Sequence, residues 1–394
     1  MELRSKKTIL IFIDWYLPGY KAGGPIKSIS SIVEYLKSDF NFLIITSDKD
    51  FGETSSYESI RTNVWNQLND SVSVFYASDD FISIKNLLKL LRSIEFDLVY
   101  LNSFFSIKYS LFPLVLFKTG RLKKPLLLAP RGMLGEGALR IKSTKKKLFI
   151  LFSKLLSIHK NIHWHATSVQ EQLEIHKQFG RSEKIDVVPN LQFFDRTKKV
   201  AAASKTKKNL KLFFLSRISE KKNLLSALRI LSTLKNDDSF IEYNIIGPIE
   251  DTDYWEKCRT IIGKMPANIR VTYEGAIENA LIFDKISDYH FLFLPTYNEN
   301  YGHVIVESFL AGKPVIISDQ TPWRNLKENH VGWDIALNDE IAFAKAINEC
   351  IGMEDSTYSA MSQSAVKYAL NNCLSLDSVN KTKDMFNDTL KSNE

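Results

Sequence analysis

Short apolar runs alternate along this chain with longer stretches in which apolar positions recur every three or four residues. The runs Thr8–Ile13, Phe42–Thr46, Ser73–Tyr76, Leu98–Leu101, Pro125–Ala129, His163–Ala166 and Asp186–Val188 predict strands. A second series follows: Leu212–Leu215, Tyr243–Ile246, Val271–Tyr273, Phe291–Leu294 and Pro314–Ser318. Between them, Ile26–Leu36, Ile84–Leu91, Leu224–Leu234 and Ile341–Ile351 carry the spacing of amphipathic helices. Strands apolar on both faces and separated by helices imply an α/β chain with parallel, doubly wound sheets.

The two series are separated by Arg196–Lys208, which is small, basic and without apolar periodicity. It reads as a linker, so the boundary is placed there, with a first domain over 1–196 and a second over 197–375. Each half then has its own open sheet. Ligands bind such sheets beyond the carboxyl ends of the strands, so a crevice between two facing halves is the expected site.

Composition changes this picture little. A length of 394 residues suits two domains, and 44% hydrophobic content suits large buried cores. A net charge of +7 points to an anionic partner, whether nucleic acid, membrane surface or phosphorylated substrate. Cys258, Cys350 and Cys373 stand far apart, which argues against a disulfide framework and a cysteine zinc site. The first apolar run is too short for a secretory signal, and no window approaches the roughly 20 apolar residues of a membrane span. A cytoplasmic chain, free or attached to a surface, is expected.

The chemistry concentrates at predicted strand ends. Pro295–Ser308 joins a strand to a helix through a polar loop, with Glu299 in the loop and Glu307 about one turn into the helix. A helix start offers unpaired N–H groups and partial positive charge, and glutamates accept from hydroxyls. A ligand carrying phosphate and hydroxyls, such as a nucleotide sugar, fits that combination. Arg217 follows the strand Leu212–Leu215, and Lys222 lies near the next helix start; two cations there suit a diphosphate. Gly247-Pro248 and Glu274-Gly275 close the following strands. Gly23-Gly24, ahead of Pro25, suits either close approach to a phosphate or a plain turn into a helix.

These residues together resemble the retaining glycosyltransferases of family 4, which have the GT-B fold of two Rossmann-like, doubly wound domains. The family's pair of glutamates, with seven residues between them, matches Pro295-Thr296…Glu299…Gly302…Glu307-Ser308…Gly312-Lys313-Pro314-Val315. Its basic loop matches Ser216-Arg217-Ile218…Lys222-Asn223, its paired glycines Gly23-Gly24, and its hinge-side segment Val188-Pro189-Asn190-Leu191. The resemblance implies that Arg217 and Lys222 hold the donor diphosphate, that Glu299 meets the donor sugar, and that Glu307 accepts from ribose. It implies backbone support from Gly302, His303 and Val304, and a final segment, 376–394, whose helix over Asp377–Leu390 crosses back to the first domain.

Three departures stand out. Ser216 and Asn223 replace glycines of the basic loop, and Leu191 replaces the last glycine of the hinge-side segment. Ala129-Pro130-Arg131-Gly132-Met133 stands where many relatives carry a histidine. Arg131 either takes over that contact or faces the acceptor. Together with Asn102 it is a candidate for the acceptor side or the sugar.

The histidines lack metal-ligand spacing, and the D-x-D at Asp251-Thr252-Asp253 lies in a polar loop without other ligands nearby; no metal and no separate cofactor are expected. The run Arg140–Lys160 leads from lysines into apolar residues. It suits either a core helix or a helix lying on an anionic membrane. No motif for nucleic acid accompanies the charge. The expected activity is transfer of a sugar to a lipid-linked oligosaccharide or polysaccharide acceptor, as in bacterial surface-polysaccharide (O-antigen or capsule) assembly. A GT-B epimerase or phosphorylase, and a non-catalytic sugar-nucleotide-binding protein, are the alternatives.

Overall fold

A computed structural model describes residues 6–140, 143–160, 162–181, 183–194, 203–234 and 238–391. The chain divides into two compact units, one of Met1–Phe193 with Leu376–Glu394 and one of Phe194–Ser375. Of the expected linker, 196–202 lies outside the described residues. Within its remainder, Lys205 is buried and donates from Nζ to the Thr206 carbonyl at 2.7 Å, so this end of the segment belongs to a core.

The first unit holds eight strands: β1 (Thr8–Phe12), β2 (Asn41–Ser47), β3 (Trp65–Asn69), β4 (Val72–Ala77), β5 (Leu98–Leu101), β6 (Leu126–Leu128), β7 (His163–Ala166) and β8 (Lys184–Val187). Their order is β3-β4-β2-β1-β5-β6-β7-β8, parallel except for β3 against β4. The second unit holds β9 (Asn209–Leu215), β10 (Phe240–Ile246), β11 (Ile269–Gly275), β12 (Phe291–Leu294), β13 (Val315–Ser318) and β14 (Gly332–Ile335). Their order is β11-β10-β9-β12-β13-β14, all parallel. These are the two doubly wound sheets that the apolar runs predict.

The winding places the sites. In the first unit β1 lies between β2 and β5; in the second β9 lies between β10 and β12. From each of these strands the chain winds first one way and then the other. The carboxyl ends of β1/β5 and β9/β12 are therefore topological switch points, where open sheets bind ligands.

Two strands escape the apolar pattern. β3 (WNQLN) is an edge strand with three exposed residues, anchored by Trp65 packing on Phe75 with ring centroids 5.5 Å apart. β14 (GWDI) is only four residues long and interrupted by Asp334. Tyr109–Phe117, apolar enough for a strand, is helical, its last part being the helix Phe112–Lys118.

The helix Leu376–Lys391 packs within the first unit. Phe386 is fully buried, edge-on to Phe40 (5.7 Å) and Tyr100 (5.4 Å). Lys383 pairs with Asp39, and Thr389 Oγ1 lies 2.8 Å from His163 Nδ1. Burying a phenylalanine contributes about 1.5–3 kcal/mol, so this helix has its own reason to stay with that core.

Candidate functional site

Beyond β9 the chain is clamped to the end of β10. Ser216 N donates to the Ile246 carbonyl (3.0 Å) and Ile218 N to the Pro248 carbonyl (2.8 Å). The approach is close enough to require glycine at 247: its φ is +143°, and a Cβ there would lie 1.9 Å from the Ser216 oxygen. Arg217 projects from this clamp, its Nη1 3.0 Å from Glu250 Oε1, with both side chains about one-third exposed.

A single 3₁₀ turn, Glu220–Lys222, leads to Asn223, whose φ of 57° and ψ of 37° are left-handed. Asparagine tolerates this region better than other non-glycine residues. Its buried side-chain amide also donates to the Pro295 carbonyl at 2.8 Å, tying the basic loop to the end of β12. The asparagine in place of a glycine thus keeps the backbone turn and adds a cross-link.

The loop after β12 docks on the same turn. Tyr297 N (2.9 Å) and Thr296 Oγ1 (3.1 Å) both donate to the Lys221 carbonyl, and Glu299 N donates to the Gln320 carbonyl at 2.9 Å. These contacts bring Lys222 Nζ into a hydrogen-bonded ion pair with Glu299 Oε1, the side chains 13% and 10% exposed. Lys221, missed by sequence reasoning, joins the cluster. Burial first, then neighbouring Lys222, pushes its ammonium down to about 8. Its signal was no more than a second lysine beside the first.

Gly302 caps the next helix, His303–Leu310, with φ 78°. A Cβ at 302 would lie 2.8 Å from Ile305 Cδ1, so glycine lets the loop turn directly onto the helix start. The first-turn amides of a helix have no intrahelical acceptor, and the dipole adds positive potential there. His303 is 8% exposed with its ring 4.9 Å from Tyr301, whose carbonyl accepts from Trp323 Nε1 at 2.6 Å. Val304 follows in the first turn, and Glu307, one turn on, is 4% exposed. One switch point therefore gathers Arg217, Lys221, Lys222, Glu299 and the helix start that carries Glu307.

In the first unit Gly23 (φ 69°, ψ −115°) caps the helix Gly24–Leu36, with Pro25 in the first turn. Beyond β1, burial raises the Asp14 carboxyl above its ordinary range, although Ser106 Oγ donates to it at 2.7 Å. Arg131 (φ 56°) donates to Asn102 Oδ1 from Nε (3.2 Å) and Nη2 (2.7 Å), to the Tyr100 hydroxyl from Nη2 (2.7 Å), and to Asn190 Oδ1 from Nη1. The Val188 carbonyl can only accept, so His165 Nε2 donates to it (2.8 Å), and Nδ1 accepts from the Tyr100 hydroxyl (2.7 Å). Arg131 thus ties together the ends of β5, β6 and β8, with most of its five N–H donors turned inward, and Tyr100 extends the network to His165 of β7. Leu191, which follows Asn190, is buried in the core of this unit.

Among the described residues, no three His, Cys, Asp or Glu side chains converge as a metal site. Asp251 of Asp251-Thr252-Asp253 caps the helix Thr252–Ile262, accepting from Tyr254 N at 2.9 Å.

Residues 195–368 match the sequence profile of the family described as glycosyl transferases group 1. No protein of curated function matches the chain in sequence. Solved structures similar to it include sucrose-phosphate synthase from Thermosynechococcus elongatus, 12% identical with a TM-score of 0.70 over 98% of this chain and 100% of that one. Anabaena HepE in complex with UDP and glucose is 16% identical, with a TM-score of 0.69 over 98% and 100%. WaaG, a glycosyltransferase involved in lipopolysaccharide biosynthesis, is 11% identical, with a TM-score of 0.64 over 96% and 99%. The whole chain therefore has the GT-B fold, and over residues 195–368 it is similar in sequence to the glycosyl transferases group 1.

Proposed function

We propose that this chain is a retaining, metal-independent glycosyltransferase of the family 4 type. It moves a sugar from a nucleotide-sugar donor to a lipid-linked oligosaccharide or polysaccharide acceptor, in bacterial surface-polysaccharide assembly. The observation that carries this reading is the Lys222–Glu299 pair at the β9/β12 switch point, with Arg217 on the same loop. A donor diphosphate draws Lys222 toward itself and frees Glu299 to accept from sugar hydroxyls. Charge building on the leaving diphosphate is met by Arg217, Lys222 and the amides after Gly302. Glu307 accepts from the ribose, and the first unit shapes the acceptor side. Transfer proceeds on the front face through an oxocarbenium-like state.

Calorimetry with nucleoside diphosphates and nucleotide sugars, followed by the anomeric configuration of the product, tests this. Glu307→Gln is expected to weaken the bare diphosphate and the whole donor alike. Glu299→Gln is expected to slow transfer and weaken the whole donor while sparing the bare diphosphate. An inverted product, or equal losses for both ligands in Glu299→Gln, contradicts the assignment.

The helix Ser143–Leu155 and the turn after it support an acceptor at an anionic membrane. Leu148, Leu151, Phe152, Leu155 and Leu156 recur at helical spacing and are 50%, 52%, 53%, 70% and 68% exposed, while Ile150 turns inward. Lys145, Lys146 and Lys147 precede this stripe; Lys142, part of the same basic run, lies outside the described residues. Apolar residues on one face and lysines beside them match the interface of an anionic bilayer, and each lysine is worth roughly 1 kcal/mol there. No described helix is long and apolar enough to cross a membrane. In this reading the chain acts as a cytoplasmic protein attached to the inner face of the cell membrane. Changing Lys142, Lys145, Lys146 and Lys147 to glutamine is expected to release it from anionic liposomes in flotation while transfer to a soluble acceptor analogue persists. Wild-type protein that ignores anionic vesicles at low salt sinks the attachment.

A further inference from the structure

The first unit's sheet has a second opening, at the amino ends of its strands. A cleft of about 690 Å³ runs past the starts of β1 and β2 and the residue before β5. Five cations line it, Lys6, Lys7, Arg121, Lys123 and Lys124, against two carboxylates, Glu95 and Asp97. Asp97 is already satisfied, accepting from Lys7 Nζ (3.1 Å) and Thr8 N (2.8 Å). Lys6 donates to the Lys37 carbonyl (3.1 Å) and Ser71 Oγ (3.2 Å). Arg121, Lys123 and Lys124 have no carboxylate within ion-pair distance among the described residues; Lys124 lies 5.9 Å from the centre of the Phe96 ring. Thr8 and Asn41 also line it, and the remaining four residues are apolar: Leu91, Ile94, Phe96 and Leu122.

We propose that this cleft takes the headgroup of an anionic phospholipid. Its phosphate meets Arg121, Lys123 and Lys124, and its first carbons lie on Leu91, Ile94, Phe96 and Leu122. Uncompensated cations in a cleft with low-dielectric walls focus potential on an anion. The apolar lining separates this ligand from a simple phosphate ester, which has nothing to place there. The cleft is also tied to the membrane-facing stripe. Lys118, on the segment that leads to Arg121, donates from Nζ to the Lys160 carbonyl at 2.6 Å, just past Leu155 and Leu156. The choice of a lipid source rests on the membrane attachment proposed above.

The test uses the full chain and dihexanoyl phosphatidylglycerol below its micelle concentration, with glycerol 3-phosphate as the soluble comparison. Calorimetry is expected to show the lipid binding about tenfold or more tightly than glycerol 3-phosphate. Arg121→Gln/Lys123→Gln/Lys124→Gln, all near the surface, is expected to weaken the lipid by about tenfold or more, since each cation near a phosphate contributes. It should leave the melting temperature and the affinity for nucleotide sugars unchanged. Leu151→Ser/Leu155→Ser should abolish flotation with liposomes yet leave short-chain lipid binding intact. No lipid binding, equal affinity for glycerol 3-phosphate, an inert triple variant, or loss of binding in the stripe variant alone each overturns the site. Short-chain binding retained by a chain that never floats overturns the membrane attachment and leaves the cleft standing.

Discussion

Lys222→Ala is expected to lower turnover by about two orders of magnitude or more, a loss of roughly 2.7 kcal/mol of transition-state stabilisation, with little change in folding. The expectation follows from what Lys222 touches. Its ammonium pairs with Glu299 in a pocket where the two side chains are 13% and 10% exposed. Without it, the Glu299 carboxylate faces an incoming diphosphate with its ion-pair partner gone, so repulsion adds to the lost attraction. Glu299→Gln in the Lys222→Ala background should therefore restore part of the donor affinity, which a lysine of purely structural importance would not show. Arg217→Ala should cause a comparable fall in turnover, because its partner Glu250 is one-third exposed and readily solvated once alone. Chelators should leave wild-type turnover intact. Activity restored only by added Mg²⁺ or Mn²⁺ would contradict a clamp made of side chains.

The elements that sequence reasoning reads well are those whose signal is local. Leu98–Leu101, His163–Ala166 and Phe291–Leu294 are strands over their expected bounds, because a strand buried on both faces is apolar throughout. The edge strand β3 and the short β14 carry no such run, so nothing in their composition announces them. The helix Asp355–Asn372 mixes polar and apolar residues with little periodicity; Tyr358, Ser362, Ala365 and Ala369 form its buried face.

Contacts far apart in sequence were the illegible part of the site. Glu299 and Lys222 are 77 residues apart, and their pairing depends on Asn223 reaching Pro295 and on Lys221 accepting from the loop after β12. The sequence suggests a role for each partner separately and says nothing of their contact. Arg131 is similar: its neighbours in sequence give no hint that Asn102, Tyr100 and Asn190 converge on its guanidinium. The basic run at 140–160 was ambiguous for another reason. A helix with leucines all along it can bury them or show them, and only the packing of Ile150 inward decides which face is left out.

Acid is expected to destabilise the protein steeply between pH 6.5 and 4, the first unit more than the second. Three buried histidines have their imidazoles held below the ordinary 6.5. His159 is pushed to about 3 by burial, then by Lys118; His165 to about 3 by burial, then by Arg131; His290 to about 4 by burial, despite its contact with Ser204. The hydrogen bonds of His290 agree. Its Nδ1 accepts from Lys211 N at 2.9 Å and Nε2 donates to the Ser204 carbonyl, so the neutral ring is already satisfied. The sign follows from proton uptake: below pH 6.5 the unfolded chain binds protons that the folded chain refuses, so stability falls with pH until the folded values are reached. At pH 5 this costs about 2 kcal/mol per histidine, provided the folded values stay below about 4. Two of the three lie in the first unit, which should unfold first. Against a typical domain stability of about 5–15 kcal/mol, the shift in melting temperature should be large. His159 offers the cleanest variant. It stacks on Phe104, with centroids 4.7 Å apart, and neither ring nitrogen has a hydrogen-bond partner among the described residues. His159→Phe should flatten the acid limb of the first unit by about half and stabilise it at pH 5. Calorimetric scans from pH 8 to 4 measure both; equal melting temperatures at pH 8 and pH 5 in the wild type would sink the expectation.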